Sequence, residues 1–181
     1  MVIRKIIALC LLSVILLVNT SLSTDDQIAD TREYALKAAF LYHFSEYVEW
    51  DNIAEGETFN IAVLGESPIT AQLLTIAKDK KAKNKIITVK QFEDINGIGT
   101  CFILFVSRNY KPPINTVISK YSDKPILIVT EQKGYAEKGT QINFIISEDK
   151  LKFEVNLKAA QKAGIKISSQ LLQHAIMVEG Q

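Results

Sequence analysis

The chain has 181 residues, 48% apolar and 23% charged, with 21 basic side chains against 20 acidic and two cysteines. That is the make-up of a globular domain with a core of its own. The balanced charge sets up no overall field for nucleic acid or anionic lipid, and two cysteines exclude a disulfide-built scaffold.

Arg4-Lys5 precedes a stretch from Ile6 to Val18 that is apolar except for Ser13, and Asn19-Thr20-Ser21-Leu22-Ser23 follows. This is the layout of a secretory signal peptide, with cleavage expected after Ser23 and residues 24–181 as a single mature α/β domain. The apolar run is shorter than the roughly 20 residues that span a bilayer. Cys10 is not read as a lipidation site, because Leu9 before it is too large and it lies too early in the run. Removal of 1–23 takes away Arg4 and Lys5, leaving 19 basic against 20 acidic side chains, a formal charge of −1. Cys101 is then the one cysteine left, expected as a buried small hydrophobe rather than a reactive thiol.

Thr24 to Thr31 is polar and acidic and reads as a mobile lead-in. From Arg32 to about Val48 there is no Gly or Pro, and Leu36, Ala39, Phe40, His43, Phe44 and Tyr47 recur at helical steps, with Thr31 as the expected cap. Leu41, Tyr42, Val48 and Trp50 widen the apolar surface beyond one stripe, so this helix sits deep or touches a second chain. Phe59 to Leu64 reads as a strand, and Gly65-Glu66-Ser67-Pro68 as its turn into a helix over about 69–80, with Ser67 as N-cap and Pro68 at the first helical position. Five lysines between positions 78 and 85 cluster at the end of that helix, where cations suit the helix dipole; without aromatic partners they signal nucleic-acid binding only weakly.

Ile86 to Lys90 is a second strand. Cys101 to Val106, six residues without a polar side chain between turn-forming segments, reads as the central strand, covered on both faces. Ile114 to Lys120 is a short helix and Pro125 to Thr130 another buried strand. This alternation of strands and helices predicts a mostly parallel sheet with right-handed crossovers. Then the period changes. Ile142 to Ile146 and Phe153 to Leu157 alternate around Ser147-Glu148-Asp149-Lys150, which predicts an antiparallel hairpin at an edge. Leu157 to Ala163 is a helix closed by Gly164, and Ser168 or Ser169 caps a last helix from Gln170 to about Val178. The fold class that follows is α/β: a three-layer sandwich, mostly parallel, with the C-terminal antiparallel hairpin at one edge.

The search for chemistry finds little. His43 and His174 with one cysteine offer no zinc set at ligand spacing, and both histidines are read as structural. Ser147-Glu148-Asp149-Lys150 matches the Ser-x-x-Lys spacing of acylating enzymes but falls in a turn without companion motifs. Asn96-Gly97-Ile98-Gly99 precedes a strand where a dinucleotide fingerprint needs a helix. At the strand-to-helix turn, Pro68 removes a donor and Glu66 repels anions, which argues against a phosphate or flavin site. No catalytic residue, cofactor or metal is expected.

The blocks Tyr34-Ala35-Leu36-Lys37-Ala38-Ala39-Phe40-Leu41-Tyr42-His43-Phe44 and Tyr47-Val48-Glu49-Trp50 resemble the YfiR family. So do Cys101 to Val106, Pro125 to Val129, Phe153 to Asn156, Ala163-Gly164-Ile165 and Ile167 to Leu172, and the likeness covers about residues 33–177. The resemblance implies a small, non-catalytic periplasmic α/β protein, often a homodimer. The family's namesake represses the periplasmic domain of an inner-membrane diguanylate cyclase, lowering cyclic di-GMP and biofilm formation, until an outer-membrane lipoprotein sequesters it. Related domains occur beside or fused to sensor kinases. The chain departs from the family in having Trp50-Asp51 where Trp-Pro is common, and Lys138-Gly139 where Gly-Gly is common. It also lacks the cysteines of the namesake's disulfides, so intramolecular disulfide control is not expected.

Two surfaces are candidates for a partner. One is the late hairpin, where Ile142 and Glu154 would flank the contact at an open edge. The other is the helix end around Tyr47 and Trp50, since aromatics anchor interfaces. A periplasmic small-molecule sensor or binding component acting with a sensor kinase or transporter is the alternative reading. An enzyme would need polar side chains converging at the C-terminal ends of the parallel strands.

Overall fold

The computed structural model describes residues 22–50 and 56–180. The expected export segment, 1–23, lies outside them except for Leu22 and Ser23. By internal contacts the chain divides into two units, residues 1–34 and 35–181. The described part of the first, residues 22–34, is entirely helical.

The described residues form five α-helices and ten strands. Helix α1 is Leu22–Tyr47, followed by β1 Val48–Trp50, β2 Thr58–Leu64, α2 Ile69–Asp79, β3 Lys81–Ala82 and β4 Lys85–Phe92. After a 3-10 turn at Ile95–Gly97 come β5 Ile103–Val106, α3 Ile114–Tyr121, β6 Leu127–Thr130, β7 Ile142–Ser147 and β8 Lys150–Val155. The chain closes with α4 Leu157–Lys162, β9 Ile165–Ile167, α5 Ser169–Leu172 and β10 Ile176–Met177.

Eight strands make one sheet in the order β10-β8-β7-β6-β5-β2-β4-β3. From β7 to β4 every neighbouring pair is parallel, so the expected central strand, β5, lies between β6 and β2. Cys101 and Phe102 precede β5 but continue its ladder, because Phe102 N donates to Asn60 O at 2.9 Å and its carbonyl accepts from Leu127 N at 2.9 Å. The crossovers from β2 to β4 and from β5 to β6 run in opposite directions, which places α2 and α3 on opposite faces. A core of Ala62, Leu64, Leu104, Val106 and Ile128 packs beneath Ile114, Val117 and Tyr121 of α3. On the other face Phe40 and Phe44 of α1 meet Phe144 and Phe153, with ring centroids 5.2 to 6.0 Å apart. The result is the expected three-layer α/β sandwich.

Local chemistry explains most boundaries. Ser67 Oγ accepts from Ile69 N at 3.3 Å, and Pro68 already has helical dihedrals, so the turn after β2 starts α2 as the sequence suggests. Asn156 caps α4 through Ala159 N at 3.0 Å, and Gly164 follows it with φ +67°. Glu148 and Asp149, with φ of 54° and 56°, make the two-residue turn of the β7–β8 hairpin. That hairpin lies toward one end of the sheet, and β10 covers the outer side of its last two residues, Glu154 and Val155.

Several expectations are corrected. The lead-in Thr24 to Thr31 is helical and Thr31 is internal to α1, not its cap. No Gly or Pro interrupts the chain there, so nothing in the sequence breaks the helix before Arg32. The buried side of α1 is Lys37, Ala38, Leu41, Phe44 and Ser45, so Leu36, His43 and Tyr47 of the expected core stripe face outward. The last helix stops at Leu172, and Ile176 and Met177 leave it to pair with β8. A second, two-stranded sheet joins β1 to β9, with Val48 opposite Ile167 and Trp50 opposite Ile165.

Candidate partner-binding surface

In an open parallel sheet, ligands usually sit beyond the C-terminal ends of the strands where the strand order reverses. Here that point lies between β2 and β5, and the chain closes it. Glu66 O accepts from Ser107 Oγ at 2.7 Å and from Asn109 Nδ2 at 3.1 Å. Gly65, at φ +86°, faces the Tyr110 backbone so closely that a Cβ there would sit 3.1 Å from Tyr110 N. Only glycine gives both the dihedral and the approach. One step along the sheet, the fully buried Glu131 carboxylate receives Lys37 Nζ at 2.5 Å, Arg108 N at 2.9 Å and Arg108 Nη2 at 3.3 Å. These bonds tie α1 and the loop after β5 to the end of β6.

A different surface is open. On the outward side of α1, Leu36 is 47% exposed and Tyr47 38%. Between them Phe40 is partly covered and His43 is exposed. This strip runs into a groove of about 440 Å³ lined by Phe40, His43, Tyr47, Phe153, Leu171 and His174, with Gln170 and Gln173 at its side. The groove follows from the local folding of the C-terminal segment. Ser168 N donates to Tyr47 O at 3.0 Å and Ser168 Oγ accepts from Leu171 N at 3.3 Å, so β9 and α5 are docked against the end of α1. The His43 and Tyr47 rings stack with centroids 6.3 Å apart. Flat rings with polar edges, and no Asp, Glu, Lys or Arg among the described lining residues, suit an apolar protein segment or a small aromatic molecule.

The predicted site residues fall in different places. Tyr47 lines the groove. Trp50 is buried in an aromatic cluster, edge-on to Phe59 and Phe102 at 5.5 and 5.8 Å, and its indole nitrogen has no hydrogen-bond partner among the described residues. Ile142 is fully buried, opposite Val129 on β6 and Val155 on β8. Glu154 is half-buried and its carboxylate accepts from Asn143 Nδ2 at 2.8 Å. Ile142 and Glu154 do not flank one surface. The register pairs Glu154 with Asn143, so their side chains leave opposite faces of the hairpin.

Sequence reading missed that His43 and His174, 131 positions apart, share one groove, because no spacing relates them. It also missed the Lys37–Glu131 pair, since a lysine on an apolar helix reads as a solvated charge. Cys101 is buried as expected, and desolvation pushes its thiol from 9.0 up to about 12. Among the described residues no group of three or more His, Cys, Asp or Glu is placed to hold a metal, and no helix is long and apolar enough to cross a membrane.

The model of the YfiR/HmsC-like family matches residues 34–176 of the 181. No curated protein matches the chain in a sequence search. The matched span runs from α1 to the first residue of β10 and so takes in both sheets, the closed switch point and the groove, and the chain belongs to the YfiR/HmsC-like family.

Proposed function

We propose that the chain is an exported regulatory protein of the periplasm. It binds the periplasmic domain of an inner-membrane diguanylate cyclase, or of a related sensor protein, and holds it inactive, so that cyclic di-GMP and biofilm formation fall. The observation that carries this reading is the exposed strip of Leu36, Phe40, His43 and Tyr47 leading into the aromatic groove, beside a switch point that the chain itself fills. A non-catalytic role fits both, and family membership supports it. In this reading Tyr47 touches the partner. Glu154 lies at the rim of the hairpin, while Trp50 and Ile142 support these surfaces from beneath. A homodimer, and release by an outer-membrane lipoprotein, belong to the same proposal.

The test is intracellular cyclic di-GMP in a strain lacking the gene, complemented with the chain or with a form lacking residues 1–23. A rise on deletion that only the complete chain reverses is expected. No change, with the protein present in the periplasm, would sink the proposal.

The groove also favours a second reading, a small-molecule sensor, because its volume falls within the range of roughly 300 to 1,000 Å³ typical of ligand sites. A ligand bound there would raise the melting temperature of the wild type but not of a Tyr47→Ala variant.

A further inference from the structure

The lysine cluster after α2 is not absorbed by the groove or by the switch point. Five of the eight residues 78–85 are lysine and one, Asp79, is acidic, giving this segment +4, while the rest of the chain carries 16 basic and 19 acidic side chains, or −3. The nearly neutral total therefore hides a strong separation of charge. The fold makes the cluster rigid: Lys83 and Asn84, with φ of 50° and 62°, form the tight two-residue turn between β3 and β4.

Lys81, Lys83, Lys85 and the aliphatic Ile86 line a concavity of about 440 Å³ in which Glu57 is the one carboxylate among the described residues. Lys83 Nζ donates to the Glu46 carbonyl at 2.8 Å, and Lys85 Nζ to the Gly56 carbonyl. Backbone carbonyls fix these ammonium groups without neutralising them. The Glu46 carboxylate accepts from Lys83 N at 3.4 Å, so among the described residues Asp79, Glu46 and Glu57 together still leave the five lysines a surplus of +2. Beside them Ile86 is 54% exposed, although its neighbour Ile87 is buried in the sheet.

We infer that this hairpin is a membrane-surface contact. Its lysines take the phosphates of anionic phospholipid headgroups in the concavity, and Ile86 enters the boundary with the acyl chains. An acidic protein would satisfy the lysines but leaves the exposed isoleucine among them unexplained; a lipid surface accounts for both. Nucleic acid is disfavoured because no aromatic side chain lines the concavity to stack a base. The contact needs no particular protein partner, so it stands or falls apart from the regulatory reading.

Sedimentation with vesicles tests it. The chain is mixed with phosphatidylcholine vesicles containing phosphatidylglycerol and, separately, with pure phosphatidylcholine vesicles, at low and high salt. Expected is stronger binding to the anionic vesicles that salt abolishes, weakened on the order of fivefold for each lysine replaced. Lys80→Glu/Lys81→Glu is the primary variant, because neither side chain has a hydrogen bond or ion pair among the described residues and folding is not at risk. Ile86→Ser is the second variant and is expected to weaken binding to anionic vesicles without changing its salt dependence. Equal binding to both vesicle types, or full binding by the double lysine variant with its melting temperature unchanged, overturns the inference. Retention on polyglutamate but not on anionic vesicles also overturns it, in favour of an acidic protein.

Discussion

Lys37 and Glu131 lie 94 positions apart, yet the lysine ammonium sits 2.5 Å from a carboxylate that is wholly shut off from solvent. Lys37 itself is 2% exposed. Two charges out of water face each other, with Arg108 on the same carboxylate, so the pair helps to fix how α1 lies on the sheet. Removing one partner takes away the other's closest counter-charge. Lys37→Met is therefore expected to lower the unfolding free energy by about 3 kcal/mol, with Arg108 compensating part of the loss. Lys37→Met combined with Glu131→Leu should recover most of it. Urea unfolding of the two variants at equal m-values checks this; equal losses in both would mean that the pair contributes nothing beyond packing.

The closed switch point rests on Gly65, and Gly134 provides a control. Both glycines have left-handed backbones, with φ of +86° and +80°. A Cβ at Gly134 would meet only a side-chain oxygen at 3.9 Å, whereas at Gly65 it would meet Tyr110 backbone atoms at 3.1 and 3.2 Å. Gly134→Ala should cost roughly 1 kcal/mol from strain alone. Gly65→Ala should cost about 2 kcal/mol more, because backbone cannot move aside as a side chain can. Thermal unfolding of both variants gives the difference, and equal melting temperatures would show that the closure is loose.

Cys101 sets an alkaline limit. Burial holds the folded thiol neutral up to about 12, from 9.0, whereas the unfolded thiol ionises near its ordinary value. A raised folded pKa means that this contribution is intact below about pH 9 and is lost as the pH climbs toward 12, by up to roughly 4 kcal/mol. Wild type should lose stability over this window relative to Cys101→Ala, and parallel curves would remove the effect. The same burial should slow labelling by a disulfide reagent at pH 8 about a thousandfold relative to the urea-unfolded chain.

Much of the fold is legible in the sequence because its strands announce themselves. Cys101 to Val106 and Pro125 to Thr130 are apolar runs too short for helices, and the alternation around Ser147 to Lys150 can only be a hairpin. The three-residue strands β1 and β9 are too short to show any period, so Trp50 reads as a helix end. The face of α1 is misread for a different reason. This helix carries apolar residues on most of its circumference, so periodicity does not choose between Leu36-His43-Tyr47 and Ala38-Leu41-Phe44. The choice is made by Phe144 and Phe153 across the sheet and by Glu131 receiving Lys37, contacts that no local window contains. The groove is legible only in part for the same reason: Tyr47 stands out as an aromatic at a helix end, whereas His174 joins it only after β9 has paired with β1.

That misreading supplies the sharpest test of the proposed interface. Phe44 is buried against Phe144 and Phe153, while Leu36 and Tyr47, on the same helix, are 47% and 38% exposed. Phe44→Ala should cost about 3 to 5 kcal/mol of stability, as truncation of a buried ring does. Leu36→Ala/Tyr47→Ala removes side chains that face outward and should change stability by less than about 1 kcal/mol. If the strip anchors a partner, that double variant should nevertheless bind the periplasmic domain of the regulated membrane protein about tenfold or more weakly, because exposed aromatics at the centre of a contact carry most of its energy. Titration calorimetry with the isolated domain measures the affinity, and denaturant unfolding of the same samples measures the fold. A stable double variant that binds as tightly as wild type would move the contact off α1 to the β7–β8 hairpin, where Glu154→Arg is the variant to compare next.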